Sequence, residues 1–299
     1  MAKQDSNRKR ALILYWLYGV VFAGLLIYLM FPSVEVARHL QSSVEKAFPA
    51  ISLRIDKVTP YIGPGIALKE VTLLHKDNSG AVLGKFERIL ISPALWALVR
   101  GDRYFDIRAE GFKGTIKATV NILEKEGKRG FQTDTEMEAI RLEELKVLSN
   151  LAGRKIEGVL NGSIFLIFSI SNPISANGRA RLRLAGCTIE LLQPIMGFSE
   201  FAFGEVTLNA NLEKRRINLS QADFKGRELN GFVSGFIDLT APFYDSGLEL
   251  KGVIEPHAAL FSGPDVRPDT KVLMMQFLKK GKINFTVRGT MRNPTVRFM

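Results

Sequence analysis

The sequence predicts a mainly β protein in which one N-terminal membrane-spanning helix precedes a large, curled antiparallel sheet with a few short helices. Three observations support this fold class. Residues 11–31 contain no charged side chain. From residue 49 onward, apolar and polar residues alternate in segment after segment, which is typical of strands with one apolar face. Segments with helical periodicity are few, whereas a parallel sheet needs a helix between every pair of strands.

Residues 11–31 have the length of a membrane span. At about 1.5 Å per residue they reach roughly 30 Å, the thickness of the hydrocarbon core of a bilayer. The preceding residues 1–10 carry a net charge of +3, which predicts a cytoplasmic tail and places the rest of the chain across the membrane. The basic residues of this tail are Lys3, Arg8, Lys9 and Arg10.

Two other interpretations of residues 11–31 are open. A cleaved signal peptide has a shorter apolar core, about 7 to 15 residues, and ends in small residues. This segment is longer and ends in Leu29, Met30 and Phe31, with Pro32 next. A buried soluble helix normally has a polar stripe, and this segment has none. The sequence therefore favours an uncleaved anchor.

Residues 32–48 are predicted to form a juxtamembrane amphipathic helix. Val36, Leu40, Val44 and Phe48 recur every four residues, so they share one face of a helix. Pro49 ends the pattern. The apolar face can lie on lipid head groups or lead into the folded domain.

Residues 49–131 form the first β-rich half. Alternation begins with Ile51, Leu53 and Ile55, and the predicted strands are separated by turns rich in glycine, asparagine and aspartate. A short helix is expected over residues 93–101, because proline at its start and glycine at its end are typical helix boundaries.

Residues 132–299 are predicted to contain a helix followed by the second β-rich half, continuous with the first. Residues 132–153 include leucines at positions 142, 145, 148 and 151 and end in Gly153, a pattern that indicates a soluble helix. Strands follow from residue 155, and a last helix is expected over residues 269–281. About a dozen strands are predicted in all.

Composition narrows the function classes. The 299 residues are 46% hydrophobic, carry a net charge of +11 and include one cysteine, Cys187, so an internal disulfide is excluded. The positive charge favours an anionic membrane surface. No recognition-helix, zinc-finger or RNP pattern is present, which argues against a nucleic-acid partner.

No catalytic motif is evident, and neither a cofactor nor a metal site is predicted. His39, His75 and His257 are far apart in the sequence and do not have the spacing of zinc ligands or of a triad. Cys187 follows Gly186 in a strand-like segment and is expected to be a small buried hydrophobe. The chain is therefore not expected to be an enzyme.

One face of the predicted second half is strongly apolar. This face can be the protein's own core, covered by helices or a second sheet. Alternatively, part of it stays open as a groove for acyl chains, because few helical residues are available to cover so many strands. The candidate groove residues are Leu160, Ile164, Leu166, Phe168, Leu182, Leu184, Val206, Leu208, Ile217 and Leu219.

Arg179, Arg181 and Arg183 alternate with Ala180, Leu182 and Leu184. On a strand, the three arginines project from one face about 6.6 Å apart. Such a ladder is either an ordinary solvated face or a contact site for lipid phosphates or another anion.

Several motifs, taken in order, resemble the type II secretion system protein N family in its form related to AsmA-like, membrane-anchored proteins. The resemblance spans nearly the whole chain and is carried by order and spacing. The motifs are the basic single-span N-terminus, Gly63-Pro64 within residues 61–65, Arg100-Gly101, residues 155–158 and 160–162 after the leucine-rich segment, Phe285 to Gly289 and Asn293 to Val296.

This resemblance implies a single-pass protein of the bacterial inner membrane with a periplasmic β domain. Its expected role is a non-catalytic, accessory one in type II protein secretion, with other inner-membrane secretion components and membrane lipids as partners. The AsmA-like relatives imply an alternative, a lipid-binding or lipid-transfer module that holds phospholipid acyl chains in an apolar β-groove and supports envelope integrity.

Overall fold

The described residues form a single antiparallel sheet of fourteen strands. Each strand pairs with its neighbours in the sequence, so the spatial order is the chain order from β1 to β14. The prediction of one broad, curled antiparallel sheet is confirmed, and both predicted β-rich halves belong to it. The computed structural model describes residues 15–16, 18–19, 22, 24–26, 28–61, 65–76, 82–94, 103–125, 128–146, 148–149, 153–169, 172–195, 198–258, 260 and 281–299.

The strands are long because apolar and polar side chains alternate over many consecutive residues. They are β1 (Ile51–Tyr61), β2 (Gly65–His75), β3 (Val82–Pro93), β4 (Tyr104–Gly111), β5 (Gly114–Lys125), β6 (Lys128–Arg141), β7 (Ile156–Ser169), β8 (Asn172–Ile195), β9 (Phe198–Glu213), β10 (Arg216–Gly226), β11 (Leu229–Asp238), β12 (Gly247–Pro256), β13 (Ile283–Thr290) and β14 (Pro294–Phe298). Short 3₁₀ turns occupy Leu142–Glu144 and Phe243–Asp245.

Helix α1 (Ser33–Ala47) packs against the first strands of the sheet. Val36 and Leu40 contact a buried cluster formed by Ile55, Val58, Leu68 and Val71 of β1 and β2. Glu45 accepts a hydrogen bond of 3.0 Å from Ser52 and lies 3.8 Å from the Lys76 ammonium. The amphipathic helix predicted over residues 32–48 is therefore present, and its apolar side faces the sheet.

Leu40 is one of the apolar residues that hold α1 against the sheet, so Leu40→Asp is expected to detach the helix. The variant should lose about 2 kcal/mol of unfolding free energy, and trypsin should cleave faster after Arg38, which is exposed. Ser42→Asp, on the exposed side of α1, is the matched control. Limited trypsin digestion with mass spectrometry measures the effect, and equal cleavage rates in both variants would contradict this packing.

Only some residues of the N-terminal segment lie in the described ranges. Ten of them between Tyr15 and Leu29 are helical, and their large side chains are exposed, with Tyr15 at 76% and Trp16 at 75%. No helix within the described ranges is both long and apolar enough to cross a membrane. Nine residues of the predicted span 11–31 lie outside those ranges, so the anchor stays a prediction.

The helix predicted over residues 132–153 is wrong for most of its length. Residues 132–141 belong to β6, which pairs with β5 and with β7. β5 and β7 provide hydrogen-bond partners for the β6 backbone on both sides. This pairing overrides the helix propensity of the glutamate and methionine residues in β6. Helical turns begin only at Leu142, and residues 147 and 150–152 lie outside the described ranges.

Two further predicted helices lie mostly outside the described residues. β3 extends to Pro93, the first residue of the helix expected over 93–101, and residues 95–102 lie outside the described ranges. The helix expected over 269–281 also falls there, except for Gly281.

Candidate functional site

A row of apolar side chains crosses the entire sheet. Residues directly opposite each other on neighbouring strands project from the same face, so the strand register can be followed from one edge to the other. The row contains only apolar residues and glycine. From β1 to β14 its members are Val58, Leu68, Ile89, Ala109, Ile116, Met137, Gly162, Leu182, Leu208, Ala222, Val233, Gly252, Phe285 and Phe298.

A second row beside the first has the same character, and Thr135 is its one polar member. We refer to the surface that contains both rows as the apolar face. From β1 to β14 the second row consists of Pro60, Ile66, Ile91, Ile107, Ala118, Thr135, Ile164, Ala180, Ala210, Leu219, Gly235, Leu250, Val287 and Val296.

All ten candidate groove residues lie on the apolar face. Leu182 and Leu208 belong to the first row, and Ile164 and Leu219 belong to the second. The other six occupy the flanking rows: Leu160, Leu166, Phe168, Leu184, Val206 and Ile217. Their role in lipid binding is not decided by this placement and stays a prediction.

The apolar face is only partly removed from solvent. Of the ten candidate residues, Val206 is buried and the other nine are half-buried. At the β14 edge, Val296 is 49% exposed and Phe298 is 47% exposed. Among the described residues, α1 packs over the β1–β3 end of this face. The structure therefore combines a covered end with a long, half-exposed remainder.

A second buried cluster marks a place where the strand alternation changes phase. Cys187, Phe203, Val206 and Leu229 are buried together. Gly186 has a φ of 59°, and the pairing of β7 with β8 shifts by one residue there. This shift returns Cys187 to the apolar side, which strict alternation from Leu184 would not do.

Cys187 is 1% exposed, and burial raises the pKa of its thiol. Because thiolate is the reactive form, we expect iodoacetamide to alkylate Cys187 at least about a hundredfold more slowly than an exposed thiol. Asn211→Cys on a Cys187→Ala background supplies that exposed reference. Timed alkylation followed by mass spectrometry measures both rates, and similar rates in native protein would contradict the buried cluster.

The three arginines of β8 project from the opposite face, which we call the polar face. Arg183 forms an ion pair of 2.8 Å with Glu205, and the Arg179 guanidinium lies 5.0 Å from the centre of the Phe165 ring. Arg181 lies between Ser163 and Asn209. The sheet separates the two faces. The phosphate of a lipid whose acyl chains lie on the apolar face therefore could not contact these three arginines through the sheet.

Exposed charge pairs shift a few pKa values. Lys113 donates a hydrogen bond to Glu144 and holds the pKa of that carboxyl below its usual value. Glu157 raises the pKa of Lys155, and Asp238 raises the pKa of Arg216. These groups are exposed and form ordinary surface pairs. Within the described ranges, no group of three or more acidic, histidine or cysteine side chains could hold a metal ion.

Sequence reasoning found the second half of the apolar face but missed its first half. Ile89, Ile116 and Met137 belong to the same row as Leu182. The period-two pattern of β1 to β5 is visible in the sequence. The first half of the apolar face was missed because a helix predicted in place of β6 separated β1 to β5 from β7 and the later strands.

Comparisons with known proteins do not assign the chain to a family. A scan against models of protein families, a search of curated proteins and a search of solved structures each found no match. The resemblance to the type II secretion system protein N family therefore stays a hypothesis that rests on the motifs described above.

Proposed function

We propose that this protein is a membrane-tethered, non-catalytic module that holds the acyl chains of phospholipids along the apolar face of its sheet. The observation that carries the proposal is the first row, in which fourteen consecutive strands contribute no polar side chain. Where such a face stays accessible over a large area it is rare on a monomeric soluble protein and commonly marks a binding site.

The dimensions of the apolar face suit acyl chains. Beyond the end that α1 covers, the ten strand spacings of about 4.8 Å from β4 to β14 give a path of about 48 Å along the curled sheet. The hydrocarbon core of a bilayer is about 30 Å thick and contains two leaflets, so one acyl chain is about 15 Å long. The path is therefore long enough for several acyl chains placed end to end.

The N-terminal residues support a location at a membrane. Trp16, Phe22, Leu25 and Leu29 are all exposed on the described part of the preceding helix, where a lipid environment would cover them. Phe31, two residues before the start of α1, packs against the β1–β2 cluster. In this proposal the N-terminus is cytoplasmic, the bacterial inner membrane contains the anchor, and the sheet stands in the periplasm with its β1 end nearest the membrane.

Native mass spectrometry of the full chain tests the proposal. The protein is extracted in a mild detergent and then exchanged into a delipidating one, because loosely held lipid around the anchor should leave at this step. The expected spectrum shows at least one phospholipid adduct per chain after exchange. A spectrum without lipid adducts would overturn the proposal.

A second candidate function rests on the motif resemblance, which favours an accessory subunit of a type II secretion system. Such a subunit would present its polar face to other inner-membrane secretion components. Crosslinking in intact cells followed by affinity purification should recover those components, and deletion should leave secreted substrates in the periplasm. If secretion is normal and no such component is recovered, this second candidate is wrong.

A further inference from the structure

A cavity of about 740 Å³ lies on the polar face, over β3 to β6. Its volume falls within the range of about 300 to 1,000 Å³ that is typical of small-ligand sites. Tyr61 and Tyr104 stand at its border. Tyr61 is 42% exposed, and the Arg88 guanidinium lies 5.8 Å from the centre of its ring.

The charged side chains over this cavity do not pair as the register would allow. Arg108, Lys117 and Glu136 are directly opposite each other on β4, β5 and β6. Lys117 instead forms an ion pair of 2.7 Å with Glu138. Within the described part of the chain, Arg108 and Glu136 have no ion-pair partner. Elsewhere on the polar face, opposed charges do pair, as Arg216 and Asp238 show at 2.6 Å.

The neighbouring rows add further groups that can donate or accept two hydrogen bonds. Asp106 accepts a hydrogen bond of 3.1 Å from Thr119, whose other neighbour in the register is Asp134. The amides of Asn121 and Gln132 are directly opposite each other. Asp134, Asn121 and Gln132 have no side-chain hydrogen bond to the described residues, so their capacity is open to a ligand.

From this arrangement we propose that the cavity binds an oligosaccharide through its hydroxyl groups. Carboxylate, amide and guanidinium groups each offer two parallel hydrogen-bonding positions, which match neighbouring hydroxyls of a sugar ring. Tyrosine rings at the border supply flat apolar surfaces for sugar C–H groups. The three carboxylates and two cations nearly balance, so the cavity has no strong preference for a polyanion.

The extent of the cavity fits a chain of sugars better than a single ring. It covers four strands, or three spacings of about 4.8 Å, which is about 14 Å across the sheet. It lies on the face opposite the two apolar rows, so this inference does not rest on the proposed lipid function. Loss of one activity would leave the other measurable.

Isothermal titration and saturation-transfer NMR test the inference on the full chain in lipid nanodiscs, which avoid the sugar head groups of maltoside detergents. The probes are maltotetraose, cellotetraose, chitotetraose and a tetralysine peptide. At least one tetrasaccharide should bind, and Asp134→Ala and Glu136→Ala should each weaken that binding about tenfold or more.

Glu213→Ala is the matched control, because Glu213 is an exposed carboxylate on the polar face at the distant end of β9. It should leave sugar binding unchanged. The inference is overturned if no tetrasaccharide binds, if only tetralysine binds, or if Asp134→Ala and Glu136→Ala bind sugar as wild type does.

Discussion

Replacing Leu208 by glutamate should lower the amount of phospholipid that stays bound to the purified protein about fivefold. Leu208 lies in the middle of the first row, between Leu182 and Ala222. A carboxylate there would place a charge beside the acyl chains and interrupt the apolar path. Quantitative lipid extraction after detergent exchange measures the effect.

The matched control for this variant is Asn211→Glu on the same strand. Asn211 is exposed on the polar face opposite Arg179, so an added carboxylate has no apolar neighbour to displace. The control should keep the wild-type lipid content, and thermal melting should show that both variants are folded. Equal lipid loss in the two variants would mean that the apolar face does not hold the lipid.

Replacing Gly235 by alanine should cost about 2 to 4 kcal/mol of unfolding free energy. Gly235 has a φ of 138°, a conformation that residues with a Cβ rarely adopt. A Cβ there would also meet the backbone of β12, with the Leu250 Cα at 2.8 Å. The adjacent strand would have to move, and the second row would be broken.

Gly231→Ala on the same strand is the control. A Cβ at Gly231 would lie 3.6 Å from the Val253 carbonyl oxygen, which is ordinary contact. This variant should stay within about 1 kcal/mol of wild type. Urea denaturation measures both variants, and a destabilisation by Gly235→Ala no larger than that by Gly231→Ala would contradict the strand packing described for β11 and β12.

Alternation of side chains was sufficient to predict the sheet, since each strand has one apolar and one polar side. Arg181 and Leu182 show the pattern clearly, because successive residues on a strand project from opposite faces. The connections also favoured sequential pairing, as between β4 and β5, which join through a turn at Phe112 and Lys113. The sheet has fourteen strands where about a dozen are predicted, and β6 lies where the sequence pattern predicts a helix.

The phase changes could not be predicted from alternation alone. Ala139 has a φ of 55°, and its backbone N–H donates to the Asn161 side chain instead of to the regular ladder. This bulge lets both Met137 and Ile140 face the apolar side. The odd spacing between these two residues resembles helical spacing in the sequence, which is one physical reason why β6 was misassigned.

The polar cavity was not predicted because it depends on register between strands. β5 lies between Arg108 and Glu136 both in the sheet and in the sequence. Each residue by itself is an ordinary exposed charge in the sequence. Only the pairing of β4, β5 and β6 brings the two groups over one cavity.

Photocrosslinking at adjacent residues of β8 tests most directly whether the apolar face holds lipid. A benzophenone amino acid is placed at Leu182, on the apolar face, or at Arg181, on the polar face, and the full chain is irradiated in native membranes. We expect a phospholipid adduct at position 182 and little or none at position 181. Equal labelling at both positions, or none at 182, would contradict acyl-chain binding on the apolar face.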